Sequence, residues 1–275
     1  MPDPIIWNGM TQAGLDAAYN NMAAVADSTE RLAAWTDRSN HLRQRQSGEL
    51  EIPYGPHQRN RFDIFRSGSL SAPLVVFIHG GWWQRNSKEV FSCVAEGPMS
   101  HGLDVALVGY TLAPEATLRQ IAQQVSTGLD AIASYQIVRG GTPRFILVGW
   151  SAGGHLTALT MEHPAVAAGL SISGVFDLEP IRLSYINDKL CLAAGDVSDL
   201  SPAHGIPTGK PLTIAYGLAE LPEMQRQSLD YAAHADRHGK PVTCLPQAGN
   251  DHFSIIEELA SPKGRLARAC AELAG

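Results

Sequence analysis

Residues 143–156 read PRFILVGWSAGGHL: a short, nearly continuous apolar run, then Gly-x-Ser-x-Gly, then a helix-prone stretch. Such a run reads as a strand covered on both faces rather than one with a wet side. A serine set between small residues is an odd way to end a strand if stability were the only concern. It makes sense at a sharp strand-to-helix turn, where Gly149 and Gly153 are required because side chains at the flanking positions would collide. Such a turn exposes the Ser151 hydroxyl at the C-terminal edge of a sheet. It also places the Ala152 N–H at a helix N-terminus, where backbone donors favour negative charge. Ser151 is therefore the candidate nucleophile.

The same texture recurs along the chain. PLVVFIHG (73–80), LDVALVGY (103–110), VAAGLSISG (166–174), PLTIAYG (211–217) and PVTCLPQ (241–247) read as buried strands, and ELEIPYG (49–55) and NRFDIFR (60–66) alternate as half-buried ones do. Helix-prone stretches at 86–101, 115–136, 152–163, 222–239 and 253–273 separate most of them. Strand–helix alternation of this kind predicts an α/β fold with a mostly parallel sheet and helices on both faces. Residues 11–46, with Leu15, Met22, Val25, Leu32 and Trp35 at roughly helical spacing, predict a helical N-terminal extension over 1–48. Residues 175–205 break the rhythm and predict a small cap segment. At 275 residues the whole chain, 1–275, reads as one domain.

A formal charge of −6 argues against nucleic acid and anionic membrane as partners. A small molecule is the expected partner, with a second copy of the chain as the one macromolecular candidate. No basic, apolar leader opens the sequence and no apolar run nears the ~18 residues of a membrane helix, so a cytoplasmic location is expected. Cys93, Cys191, Cys244 and Cys270 are scattered, as reduced thiols are, and Cys244 in its apolar run is expected in the core. No H-x-x-E-H or clustered ligand spacing is present, so neither metal nor cofactor is expected.

HGGWW (79–83) also follows a strand and lies upstream of the serine, where an oxyanion loop belongs. Its glycines let backbone approach a substrate oxygen, so the N–H groups of Gly81 and Trp82, with Ala152, are the candidate oxyanion hole. His79 would orient the loop, and Trp83 and Trp150, with His79, are expected around the substrate. A serine needs a base, and the base needs an orienter. The chain order Ser, acid, His selects His252, in AGNDHFSII after the last strand, over His155, His234 and His238 on helices. Glu220, the first carboxylate after PLTIAYG, is the candidate acid, with Asp177 and Asp251 as competitors. Arg85, Arg182 and Lys189 are the cations that could meet an anionic substrate, although each also reads as a solvated surface charge.

HGGWW, GYTLAP, GWSAGGHL, SGVFDLEPI, LSP, PEMQRQS and DHFSI occur in the order seen in kynurenine formamidase-like (arylformamidase-like) proteins of the α/β-hydrolase superfamily, and LDAAYNN and IPYGPH near the N-terminus look similar too. The chain resembles that branch over almost its whole length. The resemblance implies an α/β-hydrolase fold, catalytic Ser151, His252 and Glu220, and hydrolysis of a formamide, small amide or short-acyl ester through an acyl-serine without a cofactor. Animal members tend to have aspartate at the Glu220 position and tyrosine at that of Trp82. A carboxylesterase or an amide or carbamate hydrolase of another pathway is the alternative. A binding protein on a hydrolase scaffold is the reading from a different class.

Overall fold

A computed structural model describes residues 3–45, 48–69 and 71–275. Three helices open the chain: α1 (Gln12–Ala18), α2 (Asn21–Ala24) and α3 (Ser28–Arg45). The predicted helical extension consists of these three helices, with Thr11 capping α1 and Asn20 capping α2, their side-chain oxygens accepting from Gly14 and Ala23 N–H. Residues 1, 2, 46 and 47 of the predicted 1–48 extension lie outside the described residues.

Eight strands follow: β1 (Gly48–Pro53), β2 (Arg61–Phe65), β3 (Leu74–Ile78), β4 (Asp104–Val108), β5 (Phe145–Trp150), β6 (Val166–Ile172), β7 (Leu212–Gly217) and β8 (Val242–Gln247). They form one sheet in the order β1-β2-β4-β3-β5-β6-β7-β8. β2 is antiparallel to both its neighbours, and the strands from β4 to β8 pair parallel. β3, β4, β5 and β7 are buried at every position, as their apolar runs predict. The topology is that of the α/β-hydrolase fold.

Cover on both faces stops at the sheet's last strand. β8 is half-buried or exposed at every position before Gln247, and Cys244 is exposed rather than in the core. An edge strand has no neighbour on one side, and the apolar run alone does not reveal which strand is last.

The remaining helices are α4 (Glu96–Ser100), α5 (Leu118–Val138), α6 (Ala152–Thr160), α7 (Glu179–Leu183), α8 (Asn187–Leu190), α9 (Ala194–Leu200), α10 (Pro222–Arg237), α11 (Glu257–Ala260) and α12 (Arg265–Ala274). The helix predicted over 86–101 is a 3-10 stretch, Lys88–Ala95, running into α4. That predicted over 253–273 is broken around Pro262 and Gly264, where a Cβ on Gly264 would meet the Glu258 carbonyl at 2.1 Å.

Adjacent residues of β3 point to opposite faces: Val76 and Ile78 join one buried cluster, Val75 and Phe77 the other. The N-terminal segment belongs to both clusters. Leu15 and Tyr19 pack into the first, Trp35 and Leu42 into the second, so the chain crosses from one to the other through α2. Each landing is fixed by polar contacts. Trp35 Nε1–H donates to Glu257 at 2.6 Å, and Arg38 binds both oxygens of that carboxylate at 2.8 Å. Tyr19 O–H donates to Glu223 Oε2 at 3.1 Å and accepts from Gln227 Nε2 at 3.0 Å.

Gln227 does more, since its Oε1 accepts the backbone N–H groups of Phe176 and Asp177 at 2.9 and 2.8 Å. One buried amide thus ties α10 to both the N-terminal segment and the chain leaving β6. Gln227→Leu strands two buried N–H groups, each worth about 1–3 kcal/mol when unpaired. Chemical denaturation of this variant is expected to show a stability loss of about 3 kcal/mol.

Candidate active site

The turn after β5 holds Ser151 at φ +58°, ψ −117°, a conformation that L residues rarely adopt. Packing around it leaves no alternative. A Cβ on Gly149 would lie 2.1 Å from the Gly153 carbonyl oxygen, and one on Gly153 would lie 2.0 Å from that of Ile78. The glycine flanks predicted for this turn are therefore enforced by close backbone approach.

Ser151 O–H donates to His252 Nε2 at 3.1 Å, and His252 Nδ1–H donates to Glu220 Oε2 at 3.0 Å. Ser151 is 3% exposed and His252 4%. The second carboxylate oxygen of Glu220 accepts from Ser173 Oγ at 2.7 Å and from Gly217 N–H at 2.6 Å. Three donor-acceptor contacts thus run in one line from the serine to Gly217 at the end of β7, and Ser173 braces the carboxylate from the side. The acid and histidine loops are also joined by backbone, since Ala219 N–H donates to the Asn250 carbonyl at 3.0 Å. Trp150 Nε1–H donates to the His252 carbonyl at 2.9 Å and so fixes the histidine loop from beneath.

The competing carboxylates are occupied elsewhere. Asp251 accepts from the N–H groups of Phe253 and Ser254 at 2.8 and 2.7 Å, capping the turn that carries the histidine. Asp177 accepts from Glu179 N–H and faces His204 at 3.6 Å.

HGGWW forms a left-handed run, with Gly81 at φ +119°, Trp82 at +53° and Trp83 at +57°. The loop lies against the serine, because a Cβ on Gly80 would meet Ser151 Cβ at 2.9 Å. Asn86 Nδ2 braces it by donating to the Gly80 carbonyl at 3.3 Å. Among the described residues, no hydrogen bond engages the backbone N–H of Gly81, Trp82 or Ala152. Gly81, Trp82 and Trp150 line a cavity of about 30 Å³ with Ser151 and His252.

Trp83 and His79, expected near the substrate, do not line that cavity. Both are fully buried. The Trp83 ring packs edge-on against His155 at 5.0 Å, because the left-handed backbone turns successive side chains to different sides. His79 stacks on Tyr110 at 4.3 Å and its Nδ1–H donates to the Gly80 carbonyl at 2.9 Å, the loop-orienting contact anticipated for it. Of the three cations considered for an anionic substrate, Arg85 alone lines the cavity. Arg182 is tied to Glu179 by two hydrogen bonds, and Lys189 is exposed.

Asn21, Met22 and Leu32 of the N-terminal segment line one side of the cavity, and no residue of the predicted cap over 175–205 lines it. Those three residues and Ser173 are what sequence reading missed. Ser173 carried a faint signal as a small polar residue directly after a buried strand.

A family profile described as BD-FAE matches residues 63–167. Kynurenine formamidase of Danio rerio is 27% identical to this chain over 98% of both sequences. Kynurenine formamidase of Salmo salar is 30% identical over 82% of both. The chain belongs to the kynurenine formamidase family. A crystal structure from Silicibacter sp., provisionally described as a thioesterase, superposes with a TM-score of 0.85 at 29% identity, covering 93% of this chain and 98% of that one. An esterase from Pyrobaculum calidifontis shares the fold at a TM-score of 0.71 and 17% identity. Formamidases and esterases surround this chain in both comparisons, and the protein is a hydrolase. Among the described residues, no helix is long and apolar enough to cross a membrane.

The family-like PEMQRQS stretch now has a physical reading. Glu223 and Gln227 hold Tyr19, and Arg226 pairs with Glu223 through two hydrogen bonds of 2.8–2.9 Å. The motif anchors the segment that lines the site, and its Gln225 Nε2–H donates to the Glu220 carbonyl at 2.8 Å.

Two buried histidines near the site make the fold pH-sensitive. Burial lowers both His79 and His155 to about 4. Unfolded, each titrates near 6.5. Between these values the unfolded chain binds more protons, so stability is fully present above pH 6.5 and falls as pH drops towards 4. Each histidine contributes up to about 3 kcal/mol of that loss. Unfolding curves recorded from pH 7 to 4 are expected to show a shallower decline for His155→Gln, which keeps a donor for the Leu200 carbonyl now bonded at 2.8 Å.

Proposed function

We propose that this protein is a serine hydrolase that cleaves a formamide, small amide or short-acyl ester through an acyl-serine. The observation that carries the reading is the unbroken relay of 3.1 and 3.0 Å from Ser151 through His252 to Glu220. In this reading His252 Nε2 takes the Ser151 proton as Oγ attacks the substrate carbonyl carbon. The carbonyl electrons move onto oxygen, and the N–H groups of Gly81, Trp82 and Ala152 stabilise that oxyanion. Protonated His252 then gives its proton to the leaving amine or alcohol as the C–N or C–O bond breaks. Water, deprotonated by the same imidazole, attacks the acyl-serine, and collapse of the second oxyanion returns the proton to Ser151 and releases the acid. Glu220 remains ionised throughout. It fixes the tautomer that carries its proton on Nδ1 and stabilises the imidazolium.

The left-handed HGGWW backbone supports this reading, because it holds buried amides free of internal partners at a strained geometry that packing maintains. The tight cavity favours a small acyl group such as formyl. Arg85, exposed and without an ion-pair partner among the described residues, suits a leaving group that carries a carboxylate. N-formylkynurenine combines the two features and is the first-choice substrate. The chain would act as one domain, on a small molecule and without a cofactor. Its four cysteines, all unpaired, suit a reducing compartment such as the cytoplasm.

The test compares kcat/KM for N-formylkynurenine, a p-nitrophenyl acetate–butyrate series and unrelated amides, with Ser151→Ala as background. The formamide is expected well above that background. Turnover confined to the esters would remove the formamide and leave a carboxylesterase. Glu220→Gln is expected to lower kcat by about 10³–10⁴-fold, while Asp177→Asn leaves it within a few-fold of the parent. The reverse pattern would move the acid to Asp177.

A further inference from the structure

Buried polar side chains are nearly always hydrogen-bonded, and one that is not calls for an explanation. Asn21 is 3% exposed, and neither its Oδ1 nor its Nδ2 finds a partner among the described residues. Its neighbours along the cavity wall, Met22 and Leu32, are apolar, so a leucine there would fold better than an asparagine. Asn21 lines the same small cavity as Ser151, His252, Gly81 and Trp82. None of the other buried side chains that lack a partner lines this cavity. Asn21 therefore keeps one strong acceptor and two donors unpaired in the wall of the cavity that Ser151 and His252 line.

We propose that Asn21 is a specificity-determining residue that recognises the scissile amide, its Oδ1 accepting the amide N–H and its Nδ2 donating to an acceptor on the leaving group. The inference rests on the hydrolase reading above and extends it. An N–H held by Asn21 leaves the nitrogen lone pair, which appears as the tetrahedral intermediate forms, free to point at protonated His252. Proton transfer and C–N cleavage then proceed from one fixed geometry. An ester has no N–H to offer, so it gains nothing from this contact. A site built to hydrogen-bond a substrate group discriminates strongly against the analogue that lacks it, because its own buried group is then left unpaired.

The placement of Asn21 fits this role. It stands at the start of the crossing segment, two residues beyond Tyr19, which is fixed by Glu223 and Gln227 and packs edge-on against Trp82 at 6.0 Å. The cavity of about 30 Å³ is open on one side and has room inside for one or two waters.

The experiment measures kcat and KM for 4-nitroacetanilide and 4-nitrophenyl acetate, which share acyl and aryl groups and differ in N–H against O, together with formanilide and its N-methyl derivative. Asn21→Leu is the main variant, and Asn21→Ala is the second should the first fold poorly. The expected result is a fall of about 30-fold in kcat/KM for N–H amides, mostly in kcat, with ester turnover within about 3-fold of the parent. The parent's preference for formanilide over its N-methyl derivative is expected to vanish, and the melting temperature of Asn21→Leu to stay level or rise. An amide-to-ester ratio unchanged from the parent, or equal losses on both substrates, would overturn the role of Asn21 while leaving the serine hydrolase intact. A parent enzyme active on the ester and on no amide would overturn the amide reading and Asn21 together.

Discussion

Everything at this site depends on one strained residue held in place by close packing. Ser151 keeps a left-handed backbone because Gly149, Gly153 and Ile78 approach so closely that no Cβ fits between them. Strain of this kind costs on the order of 1–3 kcal/mol and persists only where the surroundings over-determine it. Here the surroundings are the two central parallel strands, β3 and β5, and the first turn of α6. The same packing that holds the serine proud of the sheet brings Gly80 against its Cβ, so serine and loop are positioned by one set of contacts.

The second organising feature is the crossing of the N-terminal segment. Its two ends are anchored in different cores, by Tyr19 on Glu223 and Gln227, and by Trp35 and Arg38 on Glu257. Trp35 also packs edge-on against Trp150 at 5.8 Å and stacks on Phe253 at 6.2 Å, both of which flank the histidine loop. The covering segment and the histidine loop therefore share side chains, and loosening one is felt by the other. Between the anchors the chain forms α2 and the first turns of α3, and Met22, Val25 and Leu32 of this span pack against the second core.

Much of this was legible in the sequence, for physical reasons that can be named. Runs buried on both faces announce themselves by composition, which gave the strands from β3 to β7. The serine turn carries glycines that nothing else explains, and the order of acid and histidine after the last two strands followed from the parallel topology. What escaped was non-local. Cys244 sits in a run as apolar as any other, yet β8 is the sheet's edge, and edges are set by topology rather than by composition. Whether residues 175–205 or the N-terminal segment covers the serine depends on which path the chain takes across the sheet, and no local pattern records that. Asn21 reads as one of three asparagines in a helix-prone stretch, and only its burial beside the serine gives it meaning.

The most direct test of the account is to treat the protein with a fluorophosphonate, record its intact mass, and map the modified peptide. One equivalent of label on Ser151, abolished in His252→Ala, is the expected result. Labelling at another residue, or an unreactive Ser151 in protein that is otherwise folded, would contradict the claim that the serine, the imidazole and the loop amides act at one point.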